Sequence, residues 1–174
     1  KSLVREVKTD DAGCFQSALN PGLTKIAVIE RHKRTGKLGI GILEGYGLTG
    51  GAIATTISHD SHNIVVAGDN DPDMLLAVRE LADKGGGIVS VHGGSIRRLP
   101  LPIAGLMTSA DPQEVNAVLH DMRVAARAEL GIPEDVEPFM TLSFMALPVI
   151  PELKLTARGL FNVNTFSFVG VEAD

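Results

Sequence analysis

The chain has 174 residues, 44% of them hydrophobic and 21% charged, which is the composition of one ordinary globular domain. Its formal charge of -5, without any local basic stripe, excludes the electrostatic attraction on which a nucleic-acid partner depends. No apolar run approaches the ~20 residues of a membrane helix, and the single cysteine, Cys14, fits a reducing compartment. We therefore expect a cytoplasmic protein without nucleic-acid or membrane partners.

The first 24 residues are weakly patterned and predict a linker or the remnant of a preceding domain. Within them, residues 3–7 have the composition of a short strand, and residues 20–22 that of a turn. The chain begins at Lys1 rather than at an initiator methionine. That start favours an excerpt of a longer protein.

A buried strand is predicted at residues 25–29, and it runs directly into Glu30 and His32. Alternate residues of an extended chain share a face, so the strand can deliver these two side chains together to a site. The alternative is an ordinary solvated strand end.

Glycine alternates with large apolar residues along the next predicted strand, residues 38–43. Gly39 and Gly41 leave one face of this strand as bare backbone, so a neighbouring segment or a ligand can approach it closely. Packing against a neighbouring segment is the favoured cause.

A polar stretch at residues 58–63 separates two apolar, β-branched runs that are typical of strands, residues 52–57 and 64–68. Its candidate functional side chains are His59, Asp60, His62 and Asn63. Plain turns are usually built from glycine, proline, asparagine or aspartate, whereas an imidazole can donate, accept or ligate near neutral pH. The stretch is either a functional loop or a solvated loop whose histidines cap backbone groups.

Two helices have clear sequence boundaries. The first is predicted to begin with Asp71 as its N-cap, and the second begins with Asp111 and ends at Gly131. The predicted buried stripe of the second helix consists of Val115, Val118, Leu119, Met122, Ala126 and Leu130. His120 lies off this stripe and is expected to be exposed.

The C-terminal region is apolar, but prolines interrupt it. Pro148 and Pro151 argue against a helix or an interior strand in residues 138–156, so we expect an irregular segment buried against another surface. Strand-forming segments outnumber helices, and they include a hairpin within residues 88–99 and a last strand at residues 166–169. The predicted fold class is α+β, a mostly antiparallel or mixed sheet with two main helices packed on it.

Four stretches taken together resemble the C-terminal region of bacterial adenine deaminases of the amidohydrolase type. They are residues 25–32, 58–63, 99–107 and 138–156, and they run in the family's order. Each stretch alone is weak, but the series is specific and covers most of the chain after residue 24.

The resemblance implies a hydrolase of purine metabolism that converts adenine and water to hypoxanthine and ammonia. In that family two divalent metal ions, iron or manganese, are held in a (β/α)₈ barrel. This chain lacks the family's HxH pair and falls short of the ~200 residues or more of such a barrel. Residues 25–174 are therefore expected to be a C-terminal domain that holds no metal, with the metals in an N-terminal barrel. Expressed alone, the chain is expected to be inactive.

On this interpretation the stretch 58–63 reaches over the barrel mouth. Auxiliary catalytic roles are then predicted for His59, Asp60 and His62, and contacts with adenine for Asn63, Glu30 and His32. Two alternatives stay open. One is a non-catalytic domain that stabilises the barrel or forms a homo-oligomer, which the apolar segment 139–156 favours. The other is a stand-alone module that binds a small polar ligand, with the glycine-rich strand as its floor.

Overall fold

Nine strands and three α-helices form the described part of the chain, residues 2–172, in the computed structural model. The strands are β1 (Leu23–Ile29), β2 (Leu38–Glu44), β3 (Gly51–Thr55), β4 (Ile64–Gly68), β5 (Gly87–His92), β6 (Ser95–Pro100), β7 (Leu153–Thr156), β8 (Gly159–Asn162) and β9 (Ser167–Val169). The helices are α1 (Asp71–Asp83), α2 (Pro112–Ala128) and α3 (Pro138–Met145), and a short 3₁₀ turn covers Ser17–Leu19.

Six strands form one antiparallel sheet in the order β2-β1-β4-β3-β5-β6. The last three strands form a second, smaller antiparallel sheet in the order β7-β8-β9. A two-residue turn joins β5 to β6, and a loop of residues 30–37 joins β1 to β2. Strand β1 also pairs with β4, which lies far along the chain. The predicted α+β class with a mostly antiparallel sheet is confirmed.

The large sheet is covered on both faces, which explains the continuous apolar sequence of its central strands. Every residue of β3 and β4 is buried. On one face, α1 packs across β3, β4 and β5. The helix side chains buried there are Met74, Ala77 and Leu81. Successive residues of the same strands, such as Val65 and Val66, therefore belong to two different cores.

The second face of the sheet packs against α2, α3 and the small sheet. Its core includes the fully buried side chains of Leu48, Met122 and Leu142. Tyr46 is 3% exposed, and its hydroxyl donates a hydrogen bond of 2.6 Å to the carbonyl of Pro138. This bond links the segment between β2 and β3 to the first residue of α3.

The glycine face of β2 is occupied by the small sheet. A Cβ atom at Gly39 would lie 2.0 Å from the carbonyl oxygen of Thr156, so only glycine fits there. A Cβ atom at Gly41 would meet Ile26 and Leu155 at 3.5–3.6 Å, which is ordinary contact. The predicted packing role of this face is confirmed, and the floor on which a stand-alone ligand module would depend is covered by β7 and β8.

The predicted starts of the two long helices are correct to within one residue. Asn70, not Asp71, is the N-cap of α1, and its side chain accepts the Asp73 N–H at 2.8 Å. Asparagine and aspartate cap equally well, so sequence alone does not separate two such neighbours. Asp71 instead forms an ion pair with Lys25, at 2.6 Å between Nζ and Oδ1. Asp111 caps α2 as predicted.

The predicted stripe of α2 is confirmed. Met122, Ala126 and Leu130 are buried. Val115, Val118 and Leu119 are partly buried and pack against the same core. His120 is exposed, also as predicted.

The prediction that residues 138–156 lack regular structure was wrong. Pro138 occupies the first position of α3, where a missing N–H has no cost, and Glu137 caps the helix through the Phe139 and Met140 N–H groups. Pro148 and Pro151 fall between α3 and β7, so they bound two elements instead of interrupting one.

The short strand predicted at residues 3–7 is also absent. Within their described part, the first 22 residues hold an isolated bridge between Thr9 and Phe15 and the 3₁₀ turn Ser17–Leu19, but no strand. The segment is held by side chains instead: the Asn20 carboxamide bonds both the N–H and the carbonyl of Lys8. None of the helices in the described range is long and apolar enough to cross a membrane.

Candidate functional site

Three loops and the end of a helix meet at one end of the large sheet. The β1–β2 loop and the β3–β4 loop are neighbours there because Ile29 at the end of β1 pairs with Ile64 at the start of β4. The segment between β6 and α2 joins them through Ala104, and the last turn of α3 joins them through Ser143. The predicted stretch 58–63 lies at the centre of this convergence.

The β3–β4 loop folds back on itself around His62. The His62 N–H donates to the Ser58 carbonyl at 2.6 Å, and the Ser58 N–H faces the His62 Nδ1 atom at 3.4 Å. His62 has a φ of +49°, a left-handed conformation that is uncommon for a residue with a side chain. The turn is therefore closed by a histidine where a glycine or asparagine would be usual.

His59 and His62 form an imidazole pair. Their ring centroids are 5.7 Å apart and the ring planes meet at 66°. The His59 ring also stacks on Phe144 of α3, with 5.4 Å between centroids, and its N–H donates to the Ser143 carbonyl at 3.1 Å. Both histidines are half-buried and Asp60 is exposed. α3 therefore holds the His59 member of the pair, and both imidazoles stay partly accessible.

The environment of His62 favours its neutral form. Burial lowers the pKa of His62 below its usual value, and the nearby charges of His59, Arg31 and His32 act in the same direction. Only Asp60 acts against them by raising the pKa. Near neutral pH, His62 therefore presents an imidazole that can still take up a proton.

Arg31 connects the loops around this pair. Its Nε–H donates to the His62 carbonyl at 2.6 Å and its Nη2–H to the Ala104 carbonyl at 2.7 Å. Its backbone N–H approaches the Asn63 Oδ1 atom at 3.4 Å. Sequence reasoning missed Arg31, although it lies between the two candidates Glu30 and His32. It also missed Phe144, for which the sequence carries no signal.

Of the three predicted adenine-contacting residues, His32 and Asn63 lie where the loops meet, and each forms a hydrogen bond between two of those loops. The His32 Nε2 atom bonds the Ser61 carbonyl at 2.7 Å, and Asn63 is buried. Glu30 lies apart, because its carboxylate accepts N–H groups of its own loop. The Thr35 N–H, followed by other donors of that loop, lowers the pKa of Glu30 to about 2. Contacts of these three residues with a ligand stay predictions.

The donor set does not fit a metal centre. Within residues 2–172, no three histidine, cysteine, aspartate or glutamate side chains lie close enough to hold an ion. The His62 Nδ1 atom faces a backbone N–H, and the His32 Nε2 atom already has a carbonyl partner. The site consists of imidazoles, a guanidinium and a phenyl ring, with the carboxylate of Asp60 and the carboxamide of Asn63 beside them. It offers proton transfer, hydrogen bonding and stacking.

A family model described as the adenine deaminase C-terminal domain matches residues 1–167 of this chain. The chain belongs to this family. The match includes the first 24 residues, whose assignment to a linker or a preceding domain stays a prediction.

Several curated proteins named adenine deaminase are similar to this family member. The protein of Nitratidesulfovibrio vulgaris strain Hildenborough is 60% identical over 171 residues, which cover 98% of this chain and 29% of that protein. The Clostridium acetobutylicum protein is 48% identical over 97% of this chain and 30% of its own length. The Bacillus licheniformis protein is 45% identical over 95% and 29%. This chain therefore spans less than a third of the length of these relatives.

Proposed function

We propose that this chain is the C-terminal domain of an adenine deaminase and that its imidazole pair lines or closes the active site of that enzyme. The reaction is the hydrolysis of adenine to hypoxanthine and ammonia, and the catalytic centre belongs to the larger N-terminal barrel. The names of the relatives support the reaction. The observation that carries the role of this domain is geometric: His62 is held beside His59, with 5.7 Å between the ring centroids, at the point where three loops meet.

The side chains of the site suit this reaction. Water adds to C6 of adenine and the C6–N bond breaks, so the departing amine must receive a proton before it leaves as ammonia. A neutral His62 can carry that proton. His59, stacked on Phe144, extends an apolar and aromatic surface over which a purine ring can lie. A domain that covers the site with such a surface also excludes bulk water from it.

The metal ions are assigned to the barrel. The family resemblance implies two iron or manganese ions, which supply an activated water when bound. The histidines described above do not fit such a centre, so this domain is given no ligand role. The role proposed for this domain involves only its own side chains. The exposed free thiol of Cys14 is compatible with the cytoplasm, where we place the enzyme.

The test is the change of His62 to alanine in the complete enzyme. We expect kcat/KM for adenine to fall by ~10- to 100-fold, which is usual when a proton-transfer or supporting group is removed. Bound metal, measured by elemental analysis, should be unchanged. The matched control is His120→Ala, because His120 is exposed on α2, outside the convergence of loops. Activity of the control should equal that of the wild type.

Wild-type kinetics in both variants would contradict the proposed role. A second candidate function would then take precedence, namely a domain that stabilises the enzyme or its oligomer. An apolar surface on α3 and the segment that follows it favours that candidate: Met140 is 56% and Val149 67% exposed, and Phe144 and Ile150 are also exposed. Sedimentation of the complete enzyme with Val149→Asp would then show a loss of assembly.

A further inference from the structure

We propose that Arg31 is the positioning residue of the imidazole pair: its guanidinium ties the β3–β4 loop to the segment between β6 and α2 and thereby fixes His62. The inference deepens the proposed function and rests on it for its catalytic meaning. The geometric part concerns this chain alone. In this role Arg31 acts through the backbone of the loop, by way of the His62 carbonyl.

The geometry of the contact is specific to arginine. Two adjacent N–H groups of one planar fork, Nε and Nη2, reach two carbonyls that belong to different loops, those of His62 and Ala104. A lysine ammonium presents no such pair of fixed donors. Within residues 2–172, Arg31 makes no ion pair with a carboxylate, and the hydrogen bonds of its guanidinium go to backbone carbonyls. The side chain therefore fastens the loops to each other.

The receiving surface is shaped for a guanidinium. Gly105 has a φ of +75°, and a Cβ atom there would lie 2.7–3.0 Å from three atoms of the Arg31 guanidinium. The carbonyl of Gly105 is itself fixed by the Thr56 hydroxyl at 2.6 Å, and that hydroxyl accepts the Gly87 N–H at 2.8 Å. The segment between β6 and α2 is thus bonded through Thr56 to the start of β5.

The other carbonyl that Arg31 binds belongs to His62, a residue in an uncommon backbone conformation. His62 holds a left-handed φ, and its carbonyl is the acceptor of the Nε–H. Other links from neighbouring elements to this loop join the His32 ring to the Ser61 carbonyl and the Arg31 N–H to the Asn63 Oδ1 atom. At its other end, His59 is bonded to the Ser143 carbonyl and stacked on Phe144. Arg31 also contributes positive charge beside His62, together with His59 and His32 and against Asp60.

The first experiment uses NMR on the 174-residue chain to record the amide signals of residues 59–62 and the titration of His62. In Arg31→Gln, the amide signals of residues 59–62 should shift or broaden, and the pKa of His62 should rise because a positive charge has gone. Arg31→Lys keeps the charge but not the fork, so it should not restore the loop signals. The control is Arg34→Gln: Arg34 is exposed in the same β1–β2 loop, and within residues 2–172 it makes no hydrogen bond or ion pair. It should leave the loop signals and the His62 titration unchanged.

A double-mutant cycle isolates the contact from general damage. Gly105→Ala should disturb the signals of residues 59–62 by displacing the guanidinium. Added to Arg31→Gln, it should disturb them no further, because there is no guanidinium left to displace. The strain of alanine at this φ is present in both backgrounds and cancels. If Arg31→Gln does not fold, Arg31→Lys and Gly105→Ala test the inference instead: altered amide signals of residues 59–62 support it, and wild-type signals in both contradict it.

Kinetics of the complete enzyme separate the two proposals. Arg31→Gln should lower kcat/KM by ~10-fold, following the loss of His62 placement. Altered loop signals with unaltered kinetics would keep Arg31 as the positioning residue and contradict the proposed function. Loop signals and a His62 titration identical to wild type in a folded Arg31→Gln variant would overturn the inference.

Discussion

His62 shows how the surroundings of one residue set its chemistry. Burial is the largest influence on its pKa, and the charges of His59 and Arg31 add to it, so the single opposing carboxylate of Asp60 does not restore the usual value. A solvated surface histidine would titrate near its ordinary 6.5. The lowered pKa means that protonation costs more in the folded chain than in the unfolded chain.

That difference predicts a pH dependence of stability. Below about pH 6.5 the unfolded chain binds the proton of His62 more readily than the folded chain does. The stability that the neutral ring contributes is therefore complete above pH 6.5 and is lost as the pH falls toward the lowered, folded pKa. We expect His62→Gln to flatten part of the decline of Tm between about pH 7 and pH 5. Thermal unfolding at a series of pH values measures it.

The control for this prediction is His120→Gln, since His120 is exposed and lies outside the cluster. Its Tm should decline with pH as the wild type does. A decline in His62→Gln as steep as that of the wild type would mean that the acid sensitivity arises elsewhere.

At the scale of elements, the contact of β2 with the small sheet depends more on Gly39 than on Gly41. Gly39→Ala places a methyl group against the Thr156 carbonyl and should lower the free energy of unfolding by roughly 1–3 kcal/mol, as overpacking commonly does. Gly41→Ala makes ordinary contacts and should change it by less than about 1 kcal/mol. Chemical denaturation of the matched pair measures the difference. Equal stability of the two variants would mean that β7 and β8 move away from β2 at little cost.

The sequence predicted the elements whose pattern is local. The strands of the large sheet alternate or run apolar over their whole length, and α2 repeats its apolar residues at helical spacing. It did not predict α3, because this eight-residue helix is apolar on nearly all sides and has no periodic signal. The strand at residues 3–7 was predicted from composition alone, and its exposed side chains offer no buried face.

The candidate site divides in the same way. His59, His62 and Asn63 come together because a short loop joins two adjacent strands, and this was predictable from their spacing. The partners that give the loop its shape come from distant parts of the chain: the Ala104 carbonyl accepts a hydrogen bond from Arg31, and Phe144 stacks on His59. Those contacts depend on how the layers pack, which no local pattern encodes.

At the scale of the whole molecule, the described part of the chain has a core on each face of its sheet. We expect the 174-residue chain to unfold cooperatively on its own and to release no ammonia from adenine, with or without added manganese. Both expectations follow from capped helices and two cores, and from a site in which, among residues 2–172, no three metal-ligating side chains lie together. Calorimetry and an ammonia assay test them. Turnover above the buffer rate would show that the domain holds a catalytic centre of its own.

The placement of Tyr46 gives this fold a built-in optical reporter. The chain has one tyrosine and no tryptophan, so its intrinsic emission and most of its near-ultraviolet dichroism come from a single ring. That ring is buried and bonded to the first residue of α3, and burial raises the pKa of its hydroxyl well above the usual value. A label-free optical signal therefore follows the docking of α3, the helix beneath the imidazole pair. Phenolate absorbance should emerge only when alkali has opened that part of the core.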